Sequence, residues 1–134
     1  MLFRSEMLTD AVKEIVSLSA DAFVNGNFAA VGDIEPLEEL IDAMKEQLRV
    51  NHIRRLQQGE CTIVAGFVWS DLLTNLERTA DHCSNIAACL CESDYHNMNM
   101  HEVVRNLRSQ TEHFNARYAY YARRFGIASV QENM

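Results

Sequence analysis

The 134-residue sequence has little proline and glycine, with one proline and five glycines. A β-sheet protein joins its strands through frequent turns, and these turns use both residues. Their scarcity therefore argues against an all-β fold and favours long helices. No apolar run approaches the ~20 residues that a membrane-spanning helix needs, so we expect no direct insertion into a membrane.

Positive charge is also scarce in this chain. It has 12 lysines and arginines against 19 aspartates and glutamates, which gives a formal net charge of -7. Binding to nucleic acid depends on surplus cations that neutralise phosphates, so the charge balance argues against a nucleic-acid partner. No secretory signal precedes the four cysteines, which predicts reduced thiols and a cytoplasmic location.

Four stretches of the sequence place apolar residues at the three- and four-residue steps of a helix. These stretches cover residues 2–24, 28–57, 63–91 and 102–125. Because the breaks between them are short, we predict an all-α antiparallel up-down bundle over residues 1–125. Residues 126–134 are predicted to form a loose C-terminal tail.

Several residues predict where the helices begin and end. Gly26 suits a left-handed position after the first helix, and Thr62 is a plausible N-cap for the third. Pro36 leaves two alternatives for the second helix. It begins at Asp33, with proline tolerated in its first turn, or it begins at Phe28 and kinks at the proline.

The apolar stripes of the last two helices predict which residues enter the core. The stripe of the third helix consists of Val68, Leu72, Leu76, Ala80, Cys83, Ala87 and Leu90. The end of the fourth helix combines aromatic residues with arginines, namely Tyr118, Tyr120, Tyr121, Phe125, Arg117, Arg123 and Arg124. This end is interpreted either as core packing with a favourable basic C-terminus or as a surface that docks a membrane domain or second subunit.

Two E-x-x-x-D motifs, Glu38 with Asp42 and Glu77 with Asp81, carry the strongest chemical signal. Residues four apart on a helix share one face, with Cβ atoms ~5–6 Å apart. Like charges at this spacing repel each other, so the arrangement often serves a cationic ligand. In the alternative interpretation, these acids are ordinary surface residues that nearby lysine and arginine neutralise.

The two motifs are predicted to meet between the second and third helices. If these helices form an antiparallel hairpin about residues 58–61, facing residues have a constant index sum of 119. Glu38 with Asp81 and Asp42 with Glu77 both satisfy this condition. At about 100° per residue, all four side chains turn toward one groove, where their hard oxygens suit divalent or trivalent cations.

The run from Glu77 to Ala87 resembles the signature of PhoU domains, Glu-Arg-x-x-Asp-His-x-x-Asn-Ile-Ala, at every fixed position. Residues 52–61 and 71–73 look like the PhoU-like C-terminal domain of bacterial sodium/phosphate cotransporter-family proteins. The resemblance covers about residues 1–125. It implies a PhoU-like three-helix core with an added fourth helix. Such domains are often paired in tandem, whereas this sequence contains one repeat. We therefore expect the place of the second repeat to be taken by a second copy of the chain, by another chain, or to be left empty.

The resemblance also implies a function. Some PhoU domains bind iron or other metals as multinuclear clusters through their E/D-x-x-x-D motifs, which makes Glu38, Asp42, Glu77 and Asp81 the predicted metal ligands, with an iron cluster as one candidate. Family members act in phosphate signalling through transporter and sensor-kinase partners. We therefore expect a non-catalytic regulatory domain of phosphate uptake, at the inner face of the membrane through a phosphate transporter.

Two other classes of function stay open at the level of sequence. One is a metal-dependent enzyme that uses the carboxylate groove in the manner of di-iron bundles. Those proteins use inward Glu-x-x-His motifs, whereas Ala80 stands three residues after Glu77. The other is a metal-free helical adaptor whose acidic groove binds a basic partner.

Overall fold

The computed structural model describes residues 2–95 and 100–126, with side chains placed at residues 5–92 and 110–126. Within these ranges the chain is all-α, as predicted. Its elements are helix α1 (Leu2–Val24), a 3-10 turn (Phe28–Ala30), and helices α2 (Val31–Gln57), α3 (Ile63–Tyr95) and α4 (Met100–Arg124). The predicted tail lies outside the described residues, except for Gly126.

The connections between the first three helices follow the predicted signals. Gly26 has a φ of 67° and Gly59 a φ of 73°, both in the left-handed region that glycine adopts without steric cost. At the start of α3, the backbone N–H of Ala65 donates to Oγ1 of Thr62 at 3.1 Å. Thr62 therefore caps α3, since this bond satisfies one of the backbone donors that a helix N-terminus leaves free.

The start of α2 differs from both alternatives that the sequence allowed. The helix begins at Val31, directly after the 3-10 turn, and Pro36 lies inside it. The side chains of Ala30 and Val31 are both buried, so core packing fixes where the helix starts. The missing N–H of Pro36 removes one backbone bond, to the carbonyl of Gly32, while the proline ring itself is fully buried.

Helix α2 is the centre of the bundle because it contacts each of the other three long helices. Its buried residues recur along almost its whole length: Val31, Ile34, Pro36, Leu37, Leu40, Ile41, Met44, Leu48 and His52. Helix α1 packs against both α2 and α3, and its buried residues include Leu8, Ala11, Val12 and Ile15. Among the described residues, no helix is both long enough and apolar enough to cross a membrane.

The predicted core stripe of α3 is wrong at its N-terminal end. Val68 and Leu72 have 67% and 46% of their surface exposed, whereas Leu73 is buried. Each step of four residues advances about 40° beyond a full turn. Three such steps from Ala80 back to Val68 therefore rotate the stripe about 120° away from the core.

The C-terminal end of α4 is used for packing within the chain. Tyr121 is buried, and the Arg117 guanidinium lies over its ring, 4.9 Å from the ring centre. Arg117 also pairs with Asp33 of α2 at 3.0 Å, and Arg124 pairs with Glu14 of α1 at 2.6 Å. These contacts agree with the packing interpretation of the aromatic and basic residues.

Candidate functional site

The acidic groove between α2 and α3 has the predicted antiparallel register. The Ser84 hydroxyl donates to the Glu35 carboxylate, and the Asp42 and Glu77 carboxyl groups lie close enough to share a proton in a hydrogen bond. Glu38 lies close enough to Asp81 for the two charges to interact. Each of these three cross-helix pairs satisfies the index sum of 119 that the sequence predicted.

Glu38 is the residue whose proton affinity the groove changes most clearly. Its pKa is raised from 4.5 to about 7, first by burial and then by the repulsion of neighbouring carboxylates, which are Glu35, Asp42, Asp81 and Glu39. Both causes disfavour the charged form. The carboxylates around Glu38 are therefore not fully balanced by cationic side chains of the protein.

Lys45 balances the charge at the next level of the groove. Its ammonium group forms an ion pair with Glu77, and this contact lowers the pKa of Glu77. The pKa of Asp42 is raised, by partial burial and by its hydrogen bond to Glu77. Of these two carboxyl groups, Asp42 therefore binds a proton more readily than Glu77, whose ionised form the lysine stabilises.

The four predicted ligands are brought together as two cross-helix pairs. Carboxylate oxygens are the donors that hard cations prefer, so the donor chemistry fits a divalent or trivalent ion. In the part of the chain that the structure describes, no group of three or more histidine, cysteine, aspartate or glutamate side chains is arranged to hold a metal ion. The assignment of Glu38, Asp42, Glu77 and Asp81 as metal ligands therefore stays a prediction.

The sequence interpretation missed one member of the groove, Ser84. Its hydroxyl extends the cross-helix contacts by a full turn beyond Asp81 and binds Glu35. The signal was present in the sequence, because this pair satisfies the same index sum. A rule that considered only acids could not find it.

Comparison with known protein families supports the resemblance. The model of the PhoU domain matches residues 6–90, which is more than half of the chain. The chain belongs to the PhoU domain family. The matched PhoU region includes both E-x-x-x-D motifs, whereas α4 lies beyond it. Comparisons with curated proteins and with solved structures found no match. The PhoU family is regulatory and non-catalytic, and it is linked to phosphate homeostasis.

Proposed function

We propose that this PhoU-family chain is a metal-binding regulatory domain that modulates a phosphate transporter or a phosphate-signalling protein from the cytoplasm. The observation that carries the metal proposal is the alignment of Glu38 with Asp81 and of Asp42 with Glu77 at adjacent levels of one groove. The similarity of residues 52–61 and 71–73 to the cotransporter-family domain supports a transporter as the partner.

The electrostatics of the groove supply a physical reason for a cation to bind there. Glu38 is half-buried and repelled by the carboxylates around it, which raises its pKa to about 7. A divalent or trivalent ion held by Glu38, Asp42, Glu77 and Asp81, or an iron cluster, would replace this repulsion with attraction. Lys45 would then leave Glu77, because the ion and the ammonium compete for the same oxygens.

Metal content tests the first part of the proposal. Protein purified without chelator is analysed for bound elements, and its affinity for Mn²⁺ and Fe²⁺ is measured by calorimetry. The double variant Asp42→Asn/Asp81→Asn removes one carboxylate from each pair with almost no change in volume. Asp10→Asn/Asp71→Asn makes the same change of charge at two exposed positions outside the groove. We expect metal loss in the first variant alone, and equal metal content in both would contradict the proposal.

Phosphate uptake tests the regulatory part separately. The gene is deleted in its source organism, and the rate of phosphate uptake is followed under phosphate-poor and phosphate-rich conditions. Complementation with the wild-type chain and with Asp42→Asn/Asp81→Asn shows whether the groove matters for regulation. Uptake that the deletion leaves unchanged under both conditions would refute the regulatory role while leaving the metal measurement intact.

A metal-free adaptor is the second candidate, and one observation favours it. Lys45 forms an ion pair with Glu77. In a groove that binds no metal ion, such a pair would balance part of the negative charge. In this alternative a second copy of the chain or a basic partner protein contacts the acidic groove. Wild-type protein that contains no metal, together with phosphate regulation that Asp42→Asn/Asp81→Asn weakens, would support the adaptor.

A further inference from the structure

The groove between α2 and α3 continues past the acidic residues into a cavity near the turn that joins the two helices. The cavity has a volume of about 400 Å³, which lies within the range of small-molecule sites. Four pairs of its lining residues have the index sum of 119 that the acidic pairs share: Lys45 with Thr74, Arg49 with Ser70, Ile53 with Gly66, and Leu56 with Ile63.

The end of the cavity nearest the carboxylates is lined by cationic side chains. Lys45 and Arg49 are its charged lining residues, and no acidic side chain is among the lining residues. The hydroxyls of Ser70 and Thr74 add hydrogen-bonding groups on the α3 side. Arg49 is 59% exposed, and its ion pair with Glu46 is long, at 3.5 Å. This end can therefore offer charge-assisted hydrogen bonds to an anionic group.

The other end of the cavity is apolar. Ile53, Leu56, Ile63 and Phe67 line it toward the turn, and the side chains of Ile63 and Phe67 leave 72% and 70% of their surface exposed. Apolar surface of this extent gains free energy when a ligand covers it. The eight residues from Arg49 to Leu56 rise roughly 10 Å along the helix, which sets the length of the path from the cationic end to the turn.

His52 forms part of the cavity wall between the cationic end and the apolar end. It is only 6% exposed, it borders the cavity, and its Nε2 atom has no hydrogen-bond partner among the described atoms. Gly66 makes room for the ring, since a Cβ atom there would lie 3.0 Å from Nε2. Buried polar groups in proteins are usually hydrogen-bonded, whereas this nitrogen is covered by α3 at Gly66, so the ring contributes shape to the cavity wall rather than a hydrogen bond to the ligand.

We propose that this cavity binds an amphiphilic anion, a medium-length alkyl chain that ends in a carboxylate or a phosphate. The anionic group lies at Arg49, Ser70 and Thr74, and the chain runs along Ile63 and Phe67 toward the turn. Charge complementarity selects the class of ligand, because the cavity is cationic at one end and apolar along the rest. A purely polar anion leaves the apolar end uncovered, and a neutral alkyl compound leaves the cations unused.

Four probes test the proposal on the full chain by calorimetry, at concentrations below micelle formation. They are octanoate, octyl phosphate, octanol and inorganic phosphate. We expect at least one of the two amphiphilic anions to bind. The affinities of octanol and inorganic phosphate should be at least about tenfold lower, because octanol lacks the anionic group and phosphate lacks the alkyl chain. The comparison of octanoate with octyl phosphate identifies the preferred anionic group. Octanol that binds as tightly as both anions, or no binding by either anion, would overturn the proposal.

Matched variants test each end of the cavity. Arg49→Met is expected to weaken the binding of the better amphiphilic anion about tenfold, and Arg54→Met is the control, because Arg54 is an exposed cation of α2 outside the lining. Phe67→Ala is expected to weaken octanoate more than butyrate. Its control is Phe23→Ala, on α1, with the same exposed fraction of 70%. Equal losses in a variant and its control would refute the assignment of that end.

A second copy of the chain is the competing occupant of the apolar end. Light scattering with wild type and Phe67→Glu distinguishes the two occupants. A dimer that Phe67→Glu dissociates, combined with no binding by either amphiphilic anion, would overturn the proposal and assign the surface to a protein interface. Far-ultraviolet circular dichroism on each variant confirms that the helices are intact before binding is compared.

Discussion

The replacement of Glu38 by glutamine gives a sharp test of the electrostatics in the groove. In the folded chain the pKa of Glu38 is raised from 4.5 to about 7, so folding favours its protonated form. The resulting stabilisation is fully present below pH 4.5, declines as the pH rises through about 7, and is absent above it. At ~1.4 kcal/mol per tenfold change in proton affinity, the shift corresponds to at most ~3.5 kcal/mol. Because the side chain is half-buried, screening by water reduces this to about 1–2 kcal/mol.

Glu38→Gln removes the titration and keeps the shape of the side chain. In the presence of chelator, we expect the variant to be more stable than wild type by about 1–2 kcal/mol at pH 8, with the difference shrinking toward pH 5. Urea denaturation followed by circular dichroism measures the free energy of unfolding at each pH. Glu6→Gln, at an exposed position of α1, controls for the loss of one negative charge. A stability difference that is the same at pH 5 and pH 8 would refute the reasoning.

Three further changes test individual contacts. Lys45→Met removes the ammonium that lowers the pKa of Glu77, so an NMR titration of the carboxylates should show that this pKa rises. Calorimetry should show that metal binds more tightly by ~1 kcal/mol. Gly66→Ala places a Cβ atom 3.0 Å from His52 Nε2, and urea denaturation should show a loss of roughly 1–3 kcal/mol. Gly59→Ala meets no atom within 4 Å but keeps a φ of 73°, so we expect a loss of about 1–2 kcal/mol from backbone strain alone, and a smaller loss for asparagine.

The register of the acidic groove could be predicted because it depends only on the position of the turn and on the helical period. A short turn at residues 58–61 fixes the index sum of an antiparallel helix pair, and the helical period fixes which residues face the partner. The contact between Asp42 and Glu77 confirms both inferences. The same rule could have found Ser84, had polar groups other than acids been included. Short helical hairpins are therefore predictable from sequence to the level of individual pairs.

The burial of α3 could not be predicted in the same way. Val68 and Leu72 are apolar and continue the sequence pattern, yet they are exposed. Apolar identity alone does not say which of two adjacent stripes meets the core, because a four-residue spacing drifts around the helix and Leu73, not Leu72, becomes the buried position. The position of neighbouring helices decides this, and a single sequence does not contain that position. Exposed apolar residues at a helix end are thus a sign that the pattern serves something other than the core.

Lys45 connects the two halves of the groove. It is paired with Glu77 on the acidic side, and it also lines the cavity on the other side. A cation that binds the carboxylates must displace its ammonium group, and the released charge then faces the cavity, where it attracts an anion. An anion in the cavity in turn draws Lys45 away from Glu77 and frees the carboxylate for metal. Coupling between two sites is reciprocal, so a metal ion and an amphiphilic anion that both bind this groove change each other's affinity by the same factor. We expect that factor to be an increase, and we expect Lys45→Met to reduce it.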